Sequence, residues 1–232
     1  MGQTGATAPE DRRAAGRLLV ADLGAYASRD TVVLGITRGG LVVAHEVARL
    51  LHMPVDALVV QRIAEPGEPH LGLGAVAEPG HLVVSRRRLR ALALTAAWLR
   101  QAATHCLQEA EQRGTAYRGA RPRRELAGRR VILVDDSAAT GATLRVAVRA
   151  VRARGVRQLV VAVPVAPPPV LDQLRGQVDR IVCPLRPADL IARGIQYPAP
   201  LELSDKEIRA LLEQDTWLPG EPTGPIHDQT AR

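Results

Sequence analysis

The sequence contains no phenylalanine, a single lysine and two cysteines in 232 residues, and aromatic side chains make up 2% of it. Cys106 and Cys183 are too few and too far apart for a disulfide framework, and no group of cysteines and histidines has the spacing of a zinc site. A Walker-type nucleotide loop is excluded because it needs a lysine, and Schiff-base chemistry would depend on Lys206. No apolar run approaches the length of a bilayer span.

The charged residues are strongly biased towards arginine. Lysine and arginine together number 31 against 24 acidic residues, which gives a net charge of +7. This charge favours anionic ligands, nucleic acid among them, but much of it belongs on the solvated surface, so the charge by itself does not predict a nucleic-acid partner. Residues 1–9 lack the basic and apolar layout of a secretory signal, which indicates the cytoplasm.

Short apolar runs alternate with helical patterns along the chain. We predict strands at 31–36, 55–60, 82–84, 131–134, 158–163 and 179–183, and helices at 11–28, 41–51, 86–113, 170–174 and 204–213, with a further helix ending near 154. Residues 61–80 are rich in glycine and proline and are predicted to be irregular, and 114–128 to be a basic linker. The alternation predicts an α/β fold with a central parallel sheet and helices on both faces. We assign one domain to 11–214 and expect disorder at 1–10 and 215–232.

One run of residues is especially informative, because four apolar residues at 131–134 lead directly into Asp135 and Asp136. A strand that is apolar on both faces is typical of a parallel sheet covered by helices, and ligands bind at the carboxyl ends of such strands. The loop that follows opens a helix with the small residues Ser137, Ala138, Ala139, Thr140, Gly141, Ala142 and Thr143. Its backbone N–H groups can bind an anion. The two carboxylates suit a ligand with hydroxyls near its phosphate, such as ribose 5-phosphate.

A second candidate anion site follows the first predicted strand, at Thr37-Arg38-Gly39-Gly40. The two glycines allow backbone angles that are closed to other residues, so the main chain can bend tightly and approach a ligand. Arg38 adds a forked donor that suits phosphate oxygens.

Together these motifs resemble the type I phosphoribosyltransferases, whose signature runs from an apolar strand through two acids to Thr-Gly-x-Thr. The resemblance implies a phosphoribosyl pyrophosphate (PRPP) site in which Asp135 and Asp136 bind the ribose hydroxyls. Within the signature loop, Thr140, Gly141 and Thr143 would bind the 5-phosphate. It also implies Mg²⁺ bound through PRPP near the two acids, a small C-terminal hood region, and a homodimer.

The same resemblance assigns the diphosphate to the first loop, where Arg38, Gly39 and Gly40 would bind it beside Thr37. Runs such as Val60-Gln61-Arg62-Ile63 and Gly194-Ile195-Gln196-Tyr197 are similar to those of a subgroup of predicted phosphoribosyltransferases without a settled acceptor, so the resemblance implies no particular acceptor. That subgroup has Arg-Lys where this chain has Gln61-Arg62, and an acid at His70. Arg62 is either a diphosphate clamp or a solvated side chain, and Tyr197 is the candidate for stacking on an acceptor ring.

The loop position before Thr-Gly carries an aspartate in the type I enzymes that act on purine bases, and here it is Ala139. Without that general base, the acceptor is either already nucleophilic or is deprotonated by Glu68 or His70 from the 61–80 segment. We therefore expect an acceptor other than a standard 6-oxopurine. The expected activity is transfer of the 5-phosphoribosyl group from PRPP with release of diphosphate. The alternative is a non-catalytic PRPP-sensing regulator that would use its basic surface to contact nucleic acid.

Overall fold

The computed structural model describes residues 9–188 and 203–214, apart from the side chains of residues 69–71. Among the described residues, none of the helices is both long and apolar enough to span a membrane. The helices are α1 (Arg12–Leu23), α2 (Gly39–Leu51), α3 (Arg86–Ala91), α4 (Ala96–Arg118), α5 (Ala142–Arg152), α6 (Pro168–Asp172) and α7 (Asp205–Glu213). The strands are β1 (Thr31–Ile36), β2 (Val55–Leu58), β3 (Val60–Glu65), β4 (Glu68–Ala77), β5 (His81–Val84), β6 (Arg130–Val134), β7 (Gln158–Ala162) and β8 (Arg180–Val182).

The central sheet has the strand order β2-β1-β6-β7-β8, and every neighbouring pair is parallel. In the pairing of β1 with β6, Gly35 lies opposite Val134, so the two strands end side by side. The two candidate anion-binding loops follow directly after these two strands. The α/β fold and the parallel sheet are confirmed.

Helices cover both faces of this sheet, which explains the continuous apolar run in β6. Val131 and Leu133 pack in a cluster with α5 and α6, whereas Ile132 and Val134 pack on the opposite face with α1 and α2. All four side chains are fully buried. Successive side chains of a strand point to opposite faces, so a strand between two helical layers must be apolar throughout.

A second, antiparallel sheet is built from β3, β4 and β5, which corrects the prediction that residues 61–80 are irregular. Glycine in this segment reflects close contact between strands. A Cβ on Gly74 would overlap the carbonyl oxygen of Val83 and lie 2.9 Å from the Cα of Val84. Gly and Pro are depleted in strands, so the composition pointed to a loop.

The predicted helix at 86–113 is two helices in the structure. α3 ends at Ala91, and Ala93 adopts a left-handed backbone conformation with φ of 50°. α4 then begins after Thr95, whose hydroxyl accepts a hydrogen bond from the Trp98 N–H at 3.1 Å. Thr95 therefore begins a new helix, although no glycine or proline marks a break at this point in the sequence. α4 continues to Arg118, so part of the predicted linker at 114–128 is helical.

The C-terminal helix α7 begins as predicted, with a capping box in which Ser204 and Glu207 bond reciprocally. α7 packs against α2 and α4, and its Ile208 is fully buried. Residues 189–202 of the predicted domain lie outside the described residues, as do 1–8 and 215–232 of the segments predicted to be disordered.

Candidate functional site

The loops after β1 and β6 pack directly against each other at the carboxyl edge of the parallel sheet. A Cβ on Gly39 would overlap the Asp136 carboxylate, and a Cβ on Gly40 would lie 2.8 Å from the Cα of Asp135. Neither glycine has a positive φ. The prediction that these glycines serve unusual backbone angles is therefore wrong: the lack of a side chain allows the first loop to contact the two acids.

Asp135 is the more buried of the two acids, with 8% of its surface exposed. Its Oδ1 accepts a hydrogen bond of 2.9 Å from the backbone N–H of Asp136. Burial, together with the negative charge of Asp136, raises the pKa of Asp135 well above the ordinary value for an aspartate. The Asp135 carboxyl group therefore holds its proton more tightly than an ordinary aspartate does.

Asp136 forms an ion pair with Arg12, a residue that the sequence analysis missed. The Arg12 Nε donates to Asp136 Oδ2 at 2.8 Å, and the two side chains are 16% and 19% exposed. The same Nε would lie 2.9 Å from a Cβ on Gly39, so Arg12 contacts both loops. Arg12 is the first residue of α1 and belongs to no motif, and 124 residues separate it from its partner. No sequence signal indicated it.

The signature loop presents backbone donors rather than side-chain donors at the start of α5. Gly141 is the N-cap residue with φ of 70°, and no side chain accepts a hydrogen bond from the first-turn N–H groups of α5. Ala139 and Thr140 are exposed, Ser137 is half-buried, and Ala138 packs into the core. Ala138 can thus contribute only its backbone. Such a helix end attracts an anion through its dipole and its free N–H groups.

Arg38 occupies the first loop, but its guanidinium contacts α7 and the residues just before it. Nη1 donates to the backbone oxygen of Leu203, and Nη2 lies 3.0 Å from Asp205 Oδ1. Tyr117 also donates to Asp205 Oδ1, at 3.1 Å. The peptide bond between Thr37 and Arg38 is cis. An anion in the first loop would compete with Asp205 for Arg38.

Arg62 lies on β3, in a cavity whose lining includes Thr140 and Ala142 of the signature loop. The structure therefore brings the antiparallel sheet beside the signature loop. Glu68 is exposed on β4, the His70 side chain is not among the described side chains, and Tyr197 lies outside the described residues.

The sequence model of the phosphoribosyl transferase domain family matches residues 10–199. The chain belongs to the phosphoribosyl transferase family. This confirms the predicted resemblance.

Two relatives support the assignment. A protein of Mycobacterium tuberculosis, strain H37Rv, which is named as a candidate phosphoribosyl transferase, is 38% identical over 205 residues. The match covers 88% of this chain and 46% of that relative, so this chain spans about half the relative's length. The crystal structure of TT1426 from Thermus thermophilus is 38% identical and superposes with a TM-score of 0.73. That match covers 90% of this chain and 99% of the other. This member of the phosphoribosyl transferase family therefore shares its fold with TT1426 over most of both chains.

Proposed function

We propose that this protein binds PRPP with Mg²⁺, transfers the 5-phosphoribosyl group to a nucleophilic acceptor and releases diphosphate. The observation that carries the proposal is the contact of Gly39 and Gly40 with Asp136 and Asp135. This contact brings the candidate anion-binding loop and the pair of acids together at one place. The uncapped start of α5 follows these acids at the same edge of the sheet.

Each part of the site matches one part of PRPP. The first-turn N–H groups of α5, with Thr140 and Thr143, would bind the 5-phosphate. Asp135 and Asp136 would accept hydrogen bonds from the ribose hydroxyls, and Arg38 would bind the diphosphate as a forked donor. Binding the whole substrate against fixed groups aligns the anomeric carbon with the acceptor.

The reaction breaks the bond between the anomeric carbon and the diphosphate oxygen, and the electron pair leaves with diphosphate. The acceptor supplies the pair for the new bond to carbon and loses a proton to a base or to water. The first loop, which is already packed against the acids, and Arg38, once released from Asp205, would stabilise the charge that grows on diphosphate. Closing the site would exclude water, which competes as a nucleophile.

The acids fit a magnesium ion that takes most of its ligands from the substrate. Within the described residues, no cluster of three or more His, Cys, Asp or Glu side chains could enclose a metal. Mg²⁺ is commonly bound by one or two carboxylates together with phosphates and water, and Asp135 and Asp136 would fill that role. When bound, the ion would neutralise part of the diphosphate charge.

The acceptor would be a nucleophile that needs no base from the signature loop. Ala139 occupies the exposed position before Thr140. Its side chain is a methyl group, which can neither accept a proton from the acceptor nor form a hydrogen bond to it. A general base contributes about 10²–10⁴-fold when the acceptor must lose a proton in the transition state. Amines or already ionised groups avoid that need, and we expect hypoxanthine and guanine to be poor acceptors.

The test has a binding arm and a reaction arm. Calorimetric titration with Mg²⁺ and PRPP should show binding that the double variant Asp135→Asn/Asp136→Asn loses, while the exposed control Asp172→Asn retains it. Diphosphate release is then measured with purines, uracil, orotate, ammonia and small amines. Release that requires an amine supports the transferase. Binding of PRPP without release from any acceptor supports the regulator, and absence of binding rejects both.

A further inference from the structure

Asp205, in the first turn of α7, is bonded by two side chains that lie far from it in the sequence. Arg38 Nη2 lies 3.0 Å from its Oδ1 in an ion pair, and the Tyr117 hydroxyl donates to the same oxygen at 3.1 Å. Asp205 has no part in the proposed reaction itself. The acid nevertheless joins the first loop, α4 and α7 at one point.

The structure holds Asp205 in place independently of Arg38. Tyr117 is buried, and burial raises the pKa of Tyr117 above its ordinary value, so the hydroxyl keeps its proton and remains a donor to Asp205. α7 is anchored by Ile208 and Leu212, whose side chains are buried. If Arg38 leaves the ion pair, the Asp205 carboxylate therefore stays where it is.

The backbone of Arg38 is fixed as well. Arg38 is the N-cap residue of α2, and Gly39 and Gly40, which follow it, pack against the two acids of the candidate site. The guanidinium makes no capping hydrogen bond and instead reaches α7, where Nη1 donates to the Leu203 backbone oxygen. Because the loop and α7 are both held by packing, Arg38 can exchange one partner for another by rotating its own side chain.

The ion pair of Arg38 with Asp205 is weak enough for a stronger anion to replace it. The two side chains are 37% and 55% exposed, and exposed ion pairs contribute little because water competes for both charges. Diphosphate carries several negative charges and presents phosphate oxygens that suit the fork of a guanidinium. A buried pair such as that of Arg118 with Asp56 would resist the same exchange, because an unpaired buried charge is costly.

From this geometry we propose that Asp205 is an internal competitor for diphosphate, which occupies Arg38 in the ligand-free protein and lowers the affinity of the site for diphosphate. Binding of a diphosphate group draws Arg38 away, and Arg38 returns to Asp205 when that group leaves. The inference rests on the proposed function, because it requires the first loop to bind diphosphate. It adds an autoinhibitory contact to that site.

The first comparison measures the affinity of the whole chain for diphosphate by calorimetric titration in the presence of Mg²⁺. Asp205→Asn removes the charge at nearly constant volume, and it should bind diphosphate about two- to fivefold more tightly. Glu213→Gln is the matched control, because it neutralises an exposed acid at the other end of α7 and should leave the affinity unchanged. Unchanged diphosphate affinity in Asp205→Asn would overturn the proposal.

Two further measurements guard this comparison. Ribose 5-phosphate lacks the diphosphate, so Asp205→Asn should bind it with the affinity of the unaltered chain. Asp205→Ser removes the charge without introducing an amide, and it should show the same gain for diphosphate. A gain that appears equally for ribose 5-phosphate would mean that Asp205 acts on the whole site and not on Arg38, which overturns the proposal.

A double-mutant cycle separates competition for Arg38 from simple repulsion between Asp205 and the ligand. If Asp205 acts through Arg38, Asp205→Asn should not change diphosphate affinity when it is combined with Arg38→Ala. Repulsion alone would give the same gain with and without Arg38, and this result would overturn the proposal.

The single variants also keep this proposal apart from the proposed function. If Arg38→Ala leaves diphosphate affinity unchanged, the assignment of diphosphate to Arg38 is rejected, and the competition is rejected with it. If Arg38→Ala weakens diphosphate binding but Asp205→Asn brings no gain, the diphosphate assignment stands and only the competition is overturned.

Discussion

Arg12 and Asp136 form an ion pair of 2.8 Å between the first turn of α1 and the loop after β6. The pair is mostly shielded from water and touches Gly39, so it holds together the acids and the first loop. The N-terminal helix therefore takes part in building the candidate site.

We expect Arg12→Gln to weaken PRPP binding about tenfold or more, because a hydrogen bond to a charged group contributes roughly 1.5–3 kcal/mol. Arg13→Gln is the control, since this neighbouring residue is exposed. Calorimetry with PRPP and Mg²⁺ makes the comparison. If both variants bind like the unaltered protein, Arg12 has no part in the site.

Gly39→Ala should abolish PRPP binding because the added methyl group overlaps the Asp136 carboxylate. The matched control is Gly24→Ala, where a Cβ meets nothing within 4 Å and the fold should tolerate the change. Unfolding curves and PRPP titrations of both variants are compared. Normal PRPP affinity in Gly39→Ala would show that the loops separate when substrate binds.

Arg38→Ala should reduce the affinity for diphosphate and for PRPP by about tenfold, since a charge-assisted contact is lost. Ribose 5-phosphate should bind almost unchanged, because it lacks the diphosphate. Arg17→Ala serves as a control on α1, where the side chain is largely exposed. An equal loss for PRPP and ribose 5-phosphate would place Arg38 at the other phosphate or in the fold.

Asp135→Asn should stabilise the ligand-free protein at alkaline pH while it weakens PRPP binding. The raised pKa of Asp135 means that the folded protein holds this proton more tightly than the unfolded chain. The free energy of unfolding therefore falls as the pH rises from about 3.8, the ordinary value, through the raised pKa, by roughly 1.4 kcal/mol for each unit of difference.

Asparagine at position 135 cannot ionise, so Asp135→Asn removes this fall in the free energy of unfolding. Urea unfolding at about pH 5 and about pH 8 should show a smaller fall in stability for Asp135→Asn than for the unaltered chain. The exposed control Asp172→Asn should follow the unaltered chain. Identical pH dependence in all three proteins would contradict the raised pKa.

Arg118→Met should destabilise the fold strongly. Arg118 is 7% exposed and bonds Asp56 at 3.0 Å and Glu78 at 2.6 Å, both of which are buried. Removal of one partner from a buried ion pair typically costs about 3–5 kcal/mol. By contrast, Arg209→Gln breaks an exposed pair with Glu213 and should change stability by at most about 0.5 kcal/mol. Chemical denaturation of both variants tests the contrast.

The sequence was sufficient for the features that depend on local patterns. The apolar run of β6, the two loops and the capping box of Ser204 were predicted because strand periodicity, small residues and helix caps are short-range signals. The antiparallel sheet was missed because Gly74 is required there by close contact with Val83 of the neighbouring strand, and the sequence around Gly74 does not show that contact. Arg12 was missed for the same reason, since a contact across 124 residues leaves no pattern near either residue.

Lys206, the only side-chain amine in the sequence, lies exposed on α7 beside Asp205, the acid that binds Arg38. An amine-reactive dye can therefore label one side chain near Arg38 and the first loop without any engineered cysteine. If an incoming anion draws Arg38 away from Asp205, the dye should change its emission. The near absence of lysine thus makes an optical sensor of the candidate site available in the unaltered sequence.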